Sequence, residues 1–304
     1  QKQVALRALN DTQRGWSTFF DIEYQGKQYL HVELALVGRH NILNALSVFG
    51  LACALGISEE SIRLAFKTFS GVKRRLEKKG EACSVLVLDD YAHHPVEIKA
   101  TLAAVKKAVF GKRIIAVYQP HRYSRMRYCI NEFENVFASA DVVFVTDLYT
   151  ANEEPVAGIT TATIVESIAS TNKRPVYYVS RDMLLQDISK KVLPHDVVIF
   201  LGAGDITQIA ADCSSYIEKK GVRKLSVAIC YGGQNSEHEV SCLSKESIAA
   251  NLSKNLYEQV HFVVSKKGVF KKVGSQKSEI DVIQELIACD IAIPIFHGPF
   301  GEDG

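Results

Sequence analysis

Five short apolar runs constrain the fold more than any other feature of this 304-residue sequence. They alternate with stretches of helical periodicity, and each is only four or five residues long. Strands that alternate with helices form parallel sheets with helices on both faces, so this pattern predicts a doubly wound α/β domain. The runs are Val85–Leu88, Ile114–Val117, Val142–Val145, Val176–Val179 and Val197–Leu201.

The residues before this domain have two other patterns. Apolar and polar residues alternate over residues 19–24 and 29–34, which predicts antiparallel strands. Residues 39–69 have helical periodicity and predict two helices, the second starting after Ser58. The apolar stripe expected on the first helix comprises Leu43, Leu46, Phe49 and Cys53.

A second α/β unit is predicted after Gly221. A charged helix end, Glu218–Lys220, precedes this glycine, and a new apolar run, Leu225–Cys230, follows it. A chain of this length with 47% hydrophobic residues can form two or three globular cores. The expected domains are therefore residues 1–70, 71–221 and 222–304.

Charge and cysteine content favour small-molecule partners and a cytoplasmic location. The 36 Lys and Arg residues nearly balance the 34 Asp and Glu residues, so neither a nucleic acid nor a membrane is an expected partner. Apolar runs such as Val197–Leu201 are too short to cross a bilayer. The seven cysteines are an odd number without a C-x-x-C pair, which indicates reduced thiols.

Polar and charged residues follow the apolar runs, at the positions where open parallel sheets bind ligands. Pro95 is placed to begin a helix, and the guanidiniums of Arg122 and Arg125 suit phosphate or carboxylate. These segments together predict an anion-binding cleft at the sheet edge, with two carboxylates and two imidazoles after the first run. The segments are Asp89–Pro95, Gln119–Arg125, Asp147–Tyr149 and Gly202–Asp205.

Each of these elements also has a structural explanation. His93 and His94 could be surface or capping residues, or they could bind zinc together with His121. No cysteine lies near them in sequence, and we predict no metal site there. Turns such as Gly202–Gly204 are common in α/β folds, and the arginines could be solvated charges. Their joint occurrence after neighbouring strands favours a binding site.

Three polar residues lie within one turn at the start of the first predicted helix. Asn41 and Asn44 are expected on the same face, and His40 lies beside them. A carboxamide offers one donor and one acceptor, which match the amino group and ring nitrogen of adenine. Capping of the helix by Asn41 explains this residue equally well.

Five motifs in order resemble those of Mur ligases of the UDP-N-acetylmuramate–L-alanine type. The resemblance covers roughly the first two-thirds of the chain, and the order of the motifs makes it specific. It implies the end of the central ATP-binding domain in residues 1–70 and the Mur C-terminal domain in residues 71–221. The motifs are Gly38–Asn44, Gly71–Arg75, Asp89–Pro95, Tyr118–Arg125 and Gly202–Asp205.

The resemblance also implies roles for individual residues. His40, Asn41 and Asn44 would hold adenine, while Arg75 and Asp90 would hold the ribose and the nearby phosphate. The substrate carboxylate and the incoming alanine would face Tyr91, His93, Arg122 and Arg125. No G-x-x-x-x-G-K-[ST] motif occurs in the sequence, so the phosphate-binding loop and the UDP-sugar domain would precede Gln1.

Two motifs after Gly221 resemble the amino-terminal domain of D-alanine–D-alanine ligases, which are ATP-grasp enzymes. They are Tyr231–Ser241 and Phe296–Gly304. The resemblance places Glu237, Val240, Ser241 and His297 around the first D-alanine, with Glu237 binding its ammonium group. The ATP-grasp domains would follow Gly304. We therefore interpret the chain as a fragment that spans the junction of two fused ligases.

Both resemblances imply ATP-dependent amino-acid ligation in the synthesis of peptidoglycan precursors. ATP with Mg²⁺ would convert a carboxylate to an acyl phosphate, which an amine then attacks. The implied substrates are UDP-N-acetylmuramate, L-alanine and D-alanine, and the implied catalytic residues are His93, Arg122, Arg125 and Glu237. The alternative is a non-catalytic nucleotide-binding or scaffold module that retains these folds. The isolated fragment is expected to have no ligase activity.

Overall fold

The computed structural model describes residues 6–298, and the chain divides into two compact units after Gly221. The first unit contains a small antiparallel sheet and a larger, mostly parallel sheet, and the second unit contains one further sheet. Within residues 6–298, no helix is long and apolar enough to cross a membrane.

The small sheet of the first unit has three antiparallel strands in chain order. The alternating pattern predicts the second and third of them but not the first. Two helices pack on it and share a core that includes Phe20, Ile22 and Phe49. Ser58 caps the second helix, since its hydroxyl accepts a hydrogen bond from the Ser61 N–H. The elements are β1 (Leu6–Arg14), β2 (Ser17–Tyr24), β3 (Lys27–Leu34), α1 (Arg39–Ala54) and α2 (Glu59–Thr68).

The predicted apolar stripe on α1 is wrong at one end. Leu43 is 55% exposed, whereas Leu46 and Phe49 are buried. At about 100° per residue, the buried positions of α1 fall within one arc of the helix surface, and Leu43 lies beyond the edge of that arc. The residues that α1 buries are Ile42, Ala45, Leu46, Phe49 and Ala52.

The larger sheet has the strand order β4-β5-β9-β6-β7-β8. Five of its strands are parallel, and β4 pairs antiparallel with β5 at one edge. The strands are β4 (Glu77–Ala82), β5 (Val85–Asp90), β6 (Ile114–Tyr118), β7 (Val142–Val145), β8 (Val176–Tyr178) and β9 (Val197–Leu201). The helices are α3 (Pro95–Ala108), α4 (Tyr123–Cys129), α5 (Thr161–Thr171), α6 (Leu184–Lys191) and α7 (Ile206–Lys220).

Helices cover both faces of this sheet, which confirms the predicted doubly wound fold. Alternate residues of the central strands pack against α3, α4 and α5 on one side. On the other side, α7 packs against β4, β5 and β9. All five apolar runs form strands. Four of them are almost entirely buried, which requires apolar side chains on both faces, whereas β8 lies at the sheet edge and is partly exposed.

Two features of this sheet differ from the prediction. β4 has the polar sequence Glu-Lys-Lys-Gly-Glu-Ala, which carries no apolar alternation and was not expected to be a strand. β5 continues two residues beyond Leu88, so that Asp89 and Asp90 lie inside the strand and are buried. The two carboxylates expected at the sheet edge are thus the last residues of β5, and both are buried.

The second unit is a four-stranded sheet with one helix on each face. Its order is β12-β11-β10-β13, with β10 parallel to β11 and β13, and β12 antiparallel to β11. One core cluster joins β10 to α8 and another joins it to α9. The elements are β10 (Leu225–Gly232), α8 (His238–Asn251), β11 (Tyr257–Val264), β12 (Phe270–Lys272), α9 (Glu279–Ile287) and β13 (Ile291–Ile295).

Candidate functional site

Four aromatic rings form a continuous row at the carboxyl edge of the larger sheet. Tyr91 and His93 follow β5, His121 follows β6, and Tyr149 follows β7. Ring centroids lie 5.3 Å apart for Tyr91 and His93, and 5.9 Å apart for His93 and His121. His121 stacks on Tyr149 at 5.4 Å, with their planes 9° apart. The segments that the sequence placed after separate strands therefore meet here.

His121 fixes the position of Arg125. The Arg125 Nη1 atom donates to His121 Nδ1 at 2.8 Å. A guanidinium can only donate, so Nδ1 is the acceptor and the ring carries its proton on Nε2. Burial, followed by the positive charge of Arg125, lowers the pKa of His121 to about 4. His121 is therefore neutral near pH 7.

His93 has the opposite tautomer. Its Nδ1 atom lies 2.8 Å from the carbonyl oxygen of Tyr91. Because a carbonyl only accepts, Nδ1 carries the proton and Nε2 keeps its lone pair. Burial lowers the pKa of His93 from its usual value, which favours the neutral ring. Such a ring can accept a proton at Nε2, but its predicted catalytic role stays a prediction.

Arg122 lies at the start of α4 in an unusual backbone conformation. Its φ of 69° is in the left-handed region, which is uncommon for a residue other than glycine and typically costs about 1–3 kcal/mol. The Arg122 N–H donates to the carbonyl of Tyr149 at 2.8 Å. Its side chain is exposed at the same edge as the aromatic row. The predicted substrate contact of Arg122 and Arg125 is consistent with these positions and stays a prediction.

The two aspartates of β5 are buried and hydrogen-bonded. Asp90 accepts the N–H groups of Leu76 and Ala92, each at 2.8 Å, and burial raises its pKa. Asp89 accepts the hydroxyl of Thr207 at 2.6 Å. Asp90 is only 3% exposed, and its hydrogen bonds hold the segment before β4 and the loop after β5 in place. A contact between Asp90 and a ribose stays a prediction.

Arg74 holds the glycine turn after β9, a role that the sequence did not reveal. Its Nη2 atom donates to the carbonyls of Gly202 at 2.6 Å and Gly204 at 3.1 Å. Its guanidinium also lies 4.8 Å from the centroid of the Tyr91 ring. The motif Gly71–Arg75 has two adjacent arginines, which indicate an anion-binding site. Their spacing cannot show which of them instead binds main-chain carbonyls of the protein.

Gly204 is required by packing. A Cβ at this position would lie 2.6 Å from Cγ of Tyr149 and 2.5 Å from Oε1 of Gln119. Gln119 also accepts the Ile206 N–H at the start of α7 and donates to Asp205. The close approach of Tyr149 therefore explains why this turn contains glycine.

The predicted adenine-binding residues lie at the start of α1. Asn44 Nδ2 is 3.5 Å from Asn41 Oδ1, so the two amides share a face as expected. Asn41 Nδ2 donates to the carbonyl of Val37, and Gly38 is the N-cap, so the capping explanation for Asn41 is wrong. Burial and the nearby charge of Arg75 lower the pKa of His40. Adenine binding here stays a prediction.

His94 is a capping residue. Its Nδ1 atom accepts the Val96 N–H at 3.5 Å, while Glu97 Oε2 accepts the His94 N–H at 3.4 Å. This capping box and Pro95 begin α3, as Pro95 predicts. Over residues 6–298, no group of three His, Cys, Asp or Glu residues could hold a metal ion.

In the second unit, the segment after β10 meets the segment after β13. Asn235 Nδ2 donates to the carbonyl of His297 at 2.5 Å, and Asn235 Oδ1 accepts the Glu237 N–H at 3.0 Å. A Cβ on Gly298 would lie 3.0 Å from Glu237 Oε1, so the glycine leaves room for this carboxylate. The sequence identified both segments but not Asn235 as the residue that joins them.

The other predicted residues of this site have different environments. Ser241 is fully buried, accepts the Gly232 N–H at 2.8 Å and donates to the carbonyl of Ile295, which gives it a structural role. Val240 is 49% exposed, and His297 Nε2 lies 3.2 Å from the Ser244 hydroxyl. Residues 299–304 of the second motif lie outside the described residues. Substrate contacts by these residues stay predictions.

Two family models match the two units. Residues 74–204 match the Mur ligase, glutamate ligase domain, and residues 226–285 match the D-Ala D-Ala ligase N-terminus. The first unit thus contains a region similar to Mur ligases, and the second contains a region similar to the N-terminus of D-alanine–D-alanine ligases. Both resemblances found in the sequence are thereby confirmed.

The chain is similar to known ligases over all or most of its length. The bifunctional enzyme MurC/Ddl of Chlamydia caviae is 39% identical over 315 aligned residues, which cover 100% of this chain and 38% of the relative. The UDP-N-acetylmuramate–L-alanine ligase of Protochlamydia amoebophila is 47% identical over 70% of this chain and 47% of its own length. The chain thus spans less than half the length of each.

A solved structure supports the assignment of the Mur ligase domain. UDP-N-acetylmuramate–alanine ligase MurC from Thermotoga maritima superposes with a TM-score of 0.62 and 28% sequence identity. The superposition covers 72% of this chain and 47% of that structure.

Proposed function

We propose that the chain is part of a bifunctional enzyme of peptidoglycan precursor synthesis. Its first ligase would join L-alanine to UDP-N-acetylmuramate, and its second would join two D-alanines. The observation that carries this proposal is that the match to bifunctional MurC/Ddl of Chlamydia caviae covers all of this chain, in which a Mur ligase match precedes a D-Ala D-Ala ligase match. The proposed location is the cytoplasm.

Both reactions require a carboxylate to become an electrophile. Transfer of the terminal phosphoryl group of ATP, assisted by Mg²⁺, gives an acyl phosphate and ADP. The amine attacks the carbonyl carbon, phosphate leaves and the amine loses a proton. On this chain, the amides of Asn41 and Asn44 and the side chains of His40 and Arg75 would bind the nucleotide, because they lie together beside the start of α1.

In the first ligase, we assign charge stabilisation to Arg122 and Arg125. Guanidiniums remain charged at any working pH and match carboxylate and phosphate oxygens in pairs. His93 would accept the proton that the amine loses, since its Nε2 lone pair is free of the Tyr91 contact. Tyr91, whose ring lies beside His93, would face the same substrate.

In the second ligase, we assign Glu237 to the ammonium group of the first D-alanine. Its carboxylate is exposed and lies beside Gly298, at the edge where β10 and β13 end. His297 would orient the same amino acid. A non-catalytic scaffold is the competing proposal, and it predicts nucleotide binding without amide formation.

The experiment uses the full-length natural protein that contains this chain. Phosphate release is measured with ATP and UDP-N-acetylmuramate plus L-alanine, and separately with ATP and D-alanine. Arg122→Ala should lower L-alanine ligation by about a hundredfold or more, as removal of one charge-stabilising donor commonly does. D-Alanine ligation should remain near the wild-type rate.

Arg127→Ala is the matched control, because Arg127 is exposed on the same helix outside the candidate site. It should leave both rates unchanged. If the wild-type protein releases no phosphate with either substrate set, the scaffold proposal is favoured. Equal losses of both activities in Arg122→Ala would contradict the assignment of this arginine to one ligase.

A further inference from the structure

The loop after β7 holds the start of α4 at two points. Arg122 donates its N–H to the carbonyl of Tyr149 at 2.8 Å, and Tyr149 donates its own N–H to Pro120 at 2.9 Å. Four residues later, Glu153 accepts the N–H of Ser124 at 2.9 Å and the Ser124 hydroxyl at 2.7 Å. Both oxygens of the Glu153 carboxylate are thus directed at one residue of α4.

α4 needs this support because its own sequence caps it poorly. The helix is only seven residues long, and its N-cap, Arg122, forms no side-chain capping bond. The first N–H groups of a helix lack partners within the helix, and a carboxylate stabilises that end. The Ser124 N–H holds the pKa of Glu153 below its usual value, so the carboxylate is ionised at neutral pH.

The guanidiniums of the site depend on this helix start. Arg122 adopts its left-handed conformation directly before α4, and Arg125 reaches His121 from the first turn. A shift at Ser124 would therefore move both guanidiniums. Both carboxylate oxygens of Glu153 bind Ser124, and the charge of Arg122 acts on Glu153 as a weaker influence that helps to lower its pKa.

We infer that Glu153 is a positioning residue for L-alanine ligation, which fixes the directions of Arg122 and Arg125 through Ser124 without touching the substrate. The inference rests on the proposed function of these two arginines. It adds a residue to the first ligase that lies 29 positions from the helix it holds.

The test compares kinetic constants in the full-length protein. Glu153→Ala should lower kcat/KM for L-alanine by about ten- to a hundredfold, which is the scale expected when catalytic groups are misplaced by roughly 1 Å. The KM for ATP and the rate of D-alanine ligation should stay at wild-type values. A general loss of folding would instead change all of these quantities.

Further variants separate positioning from a change in charge. Glu153→Gln keeps one acceptor for Ser124 and should have an intermediate effect, and Ser124→Ala should weaken the same step. Ser124→Ala removes only the hydroxyl contact, whereas Glu153→Ala removes both contacts, so Ser124→Ala should have the smaller effect alone and add nothing to Glu153→Ala. Glu154→Ala is the matched control, since this exposed neighbour has no side-chain hydrogen bond or ion pair within residues 6–298.

The outcomes distinguish this inference from the proposed function. If the wild-type protein does not ligate L-alanine, the proposed function fails. If it does, and Glu153→Ala matches Glu154→Ala, the positioning role is overturned. If Glu153→Ala does not fold, Glu153→Gln and Ser124→Ala decide, and wild-type kcat/KM in both would overturn the inference.

Discussion

At the residue scale, two neighbouring imidazoles have opposite proton positions because their partners differ. His93 donates from Nδ1 to a carbonyl, whereas His121 accepts at Nδ1 from a guanidinium. Burial lowers the pKa of both rings. One ring therefore offers a lone pair at Nε2 and the other an N–H. The sequence identified these histidines, but their protonation depends on contacts that only the fold brings about.

The depressed pKa of His121 predicts a dependence of stability on pH. Its pKa is about 4 in the folded chain against an ordinary 6.5, so the unfolded chain binds the extra proton between these values. Stability that is present above pH 6.5 is then lost as the pH falls towards 4. The free energy of unfolding should fall by an amount on the order of 2 kcal/mol over this pH range.

His121→Asn isolates this effect, because its amide oxygen can replace Nδ1 as the acceptor for Arg125 but does not titrate. Urea unfolding followed by the fluorescence of Trp16, the single tryptophan, reports on the first unit. The free-energy difference between wild type and His121→Asn should shrink from pH 6.5 to pH 4. A constant difference across this range would show that His121 does not titrate as inferred.

At the scale of elements, the sequence reveals the strands that are buried on both faces. It misses the edge strand β4, which only its pairing with a neighbouring strand defines. The central strands are apolar because helices cover both their faces, so the runs from Val85 to Leu201 reveal them. β4 lies at the sheet edge and has one strand partner, so its polar sequence carries no such pattern. β5 is also two residues longer than its apolar run. Asp89 and Asp90 are charged but can lie inside the strand because they are buried with hydrogen-bond partners.

Gly80 provides a test of how β4 packs. A Cβ at this position would lie 2.8 Å from Cβ of Ser214 on α7, closer than carbon atoms normally approach. Gly80→Ala should therefore lower the free energy of unfolding by about 1–3 kcal/mol. Urea unfolding of the first unit measures the loss.

The compensating variant is Ser214→Gly, which removes the side chain that Gly80→Ala would meet. Glycine within a helix itself costs about 1 kcal/mol, so Ser214→Gly alone should destabilise the unit modestly. The double variant should be more stable than the sum of the two losses predicts. Additive losses would indicate that β4 and α7 separate without strain.

At the scale of the whole molecule, the two units build their candidate sites in the same way. Each site forms where parallel strands end, from segments that are far apart in sequence. Asn235 and His297 are 62 residues apart, and Arg74 and Gly202 are 128 residues apart. Strand-end motifs predict that such segments meet, since parallel strands share an edge. They do not predict which side chains join them, because that depends on strand order and loop conformation.

If the two units carry the two proposed ligase sites, a change in one site should leave the other activity unaffected. Glu237→Gln keeps the size of the side chain but removes the charge that would bind the ammonium group of D-alanine. A hydrogen bond to a charged group contributes about 1.5–3 kcal/mol, so apparent affinity for the first D-alanine should fall by roughly tenfold to a hundredfold. L-Alanine ligation should remain unchanged in the full-length protein.

Glu239→Gln is the control for this prediction, because Glu239 is a neighbouring exposed carboxylate that pairs with Lys266 at 2.8 Å. Initial rates are measured against D-alanine concentration for both variants. If Glu237 only complements the start of α8, its substitution should cost roughly a few tenths of a kcal/mol in stability and leave the KM unchanged. A KM that rises in Glu237→Gln but not in Glu239→Gln would support direct binding of D-alanine, whereas equal values in the two variants would rule it out.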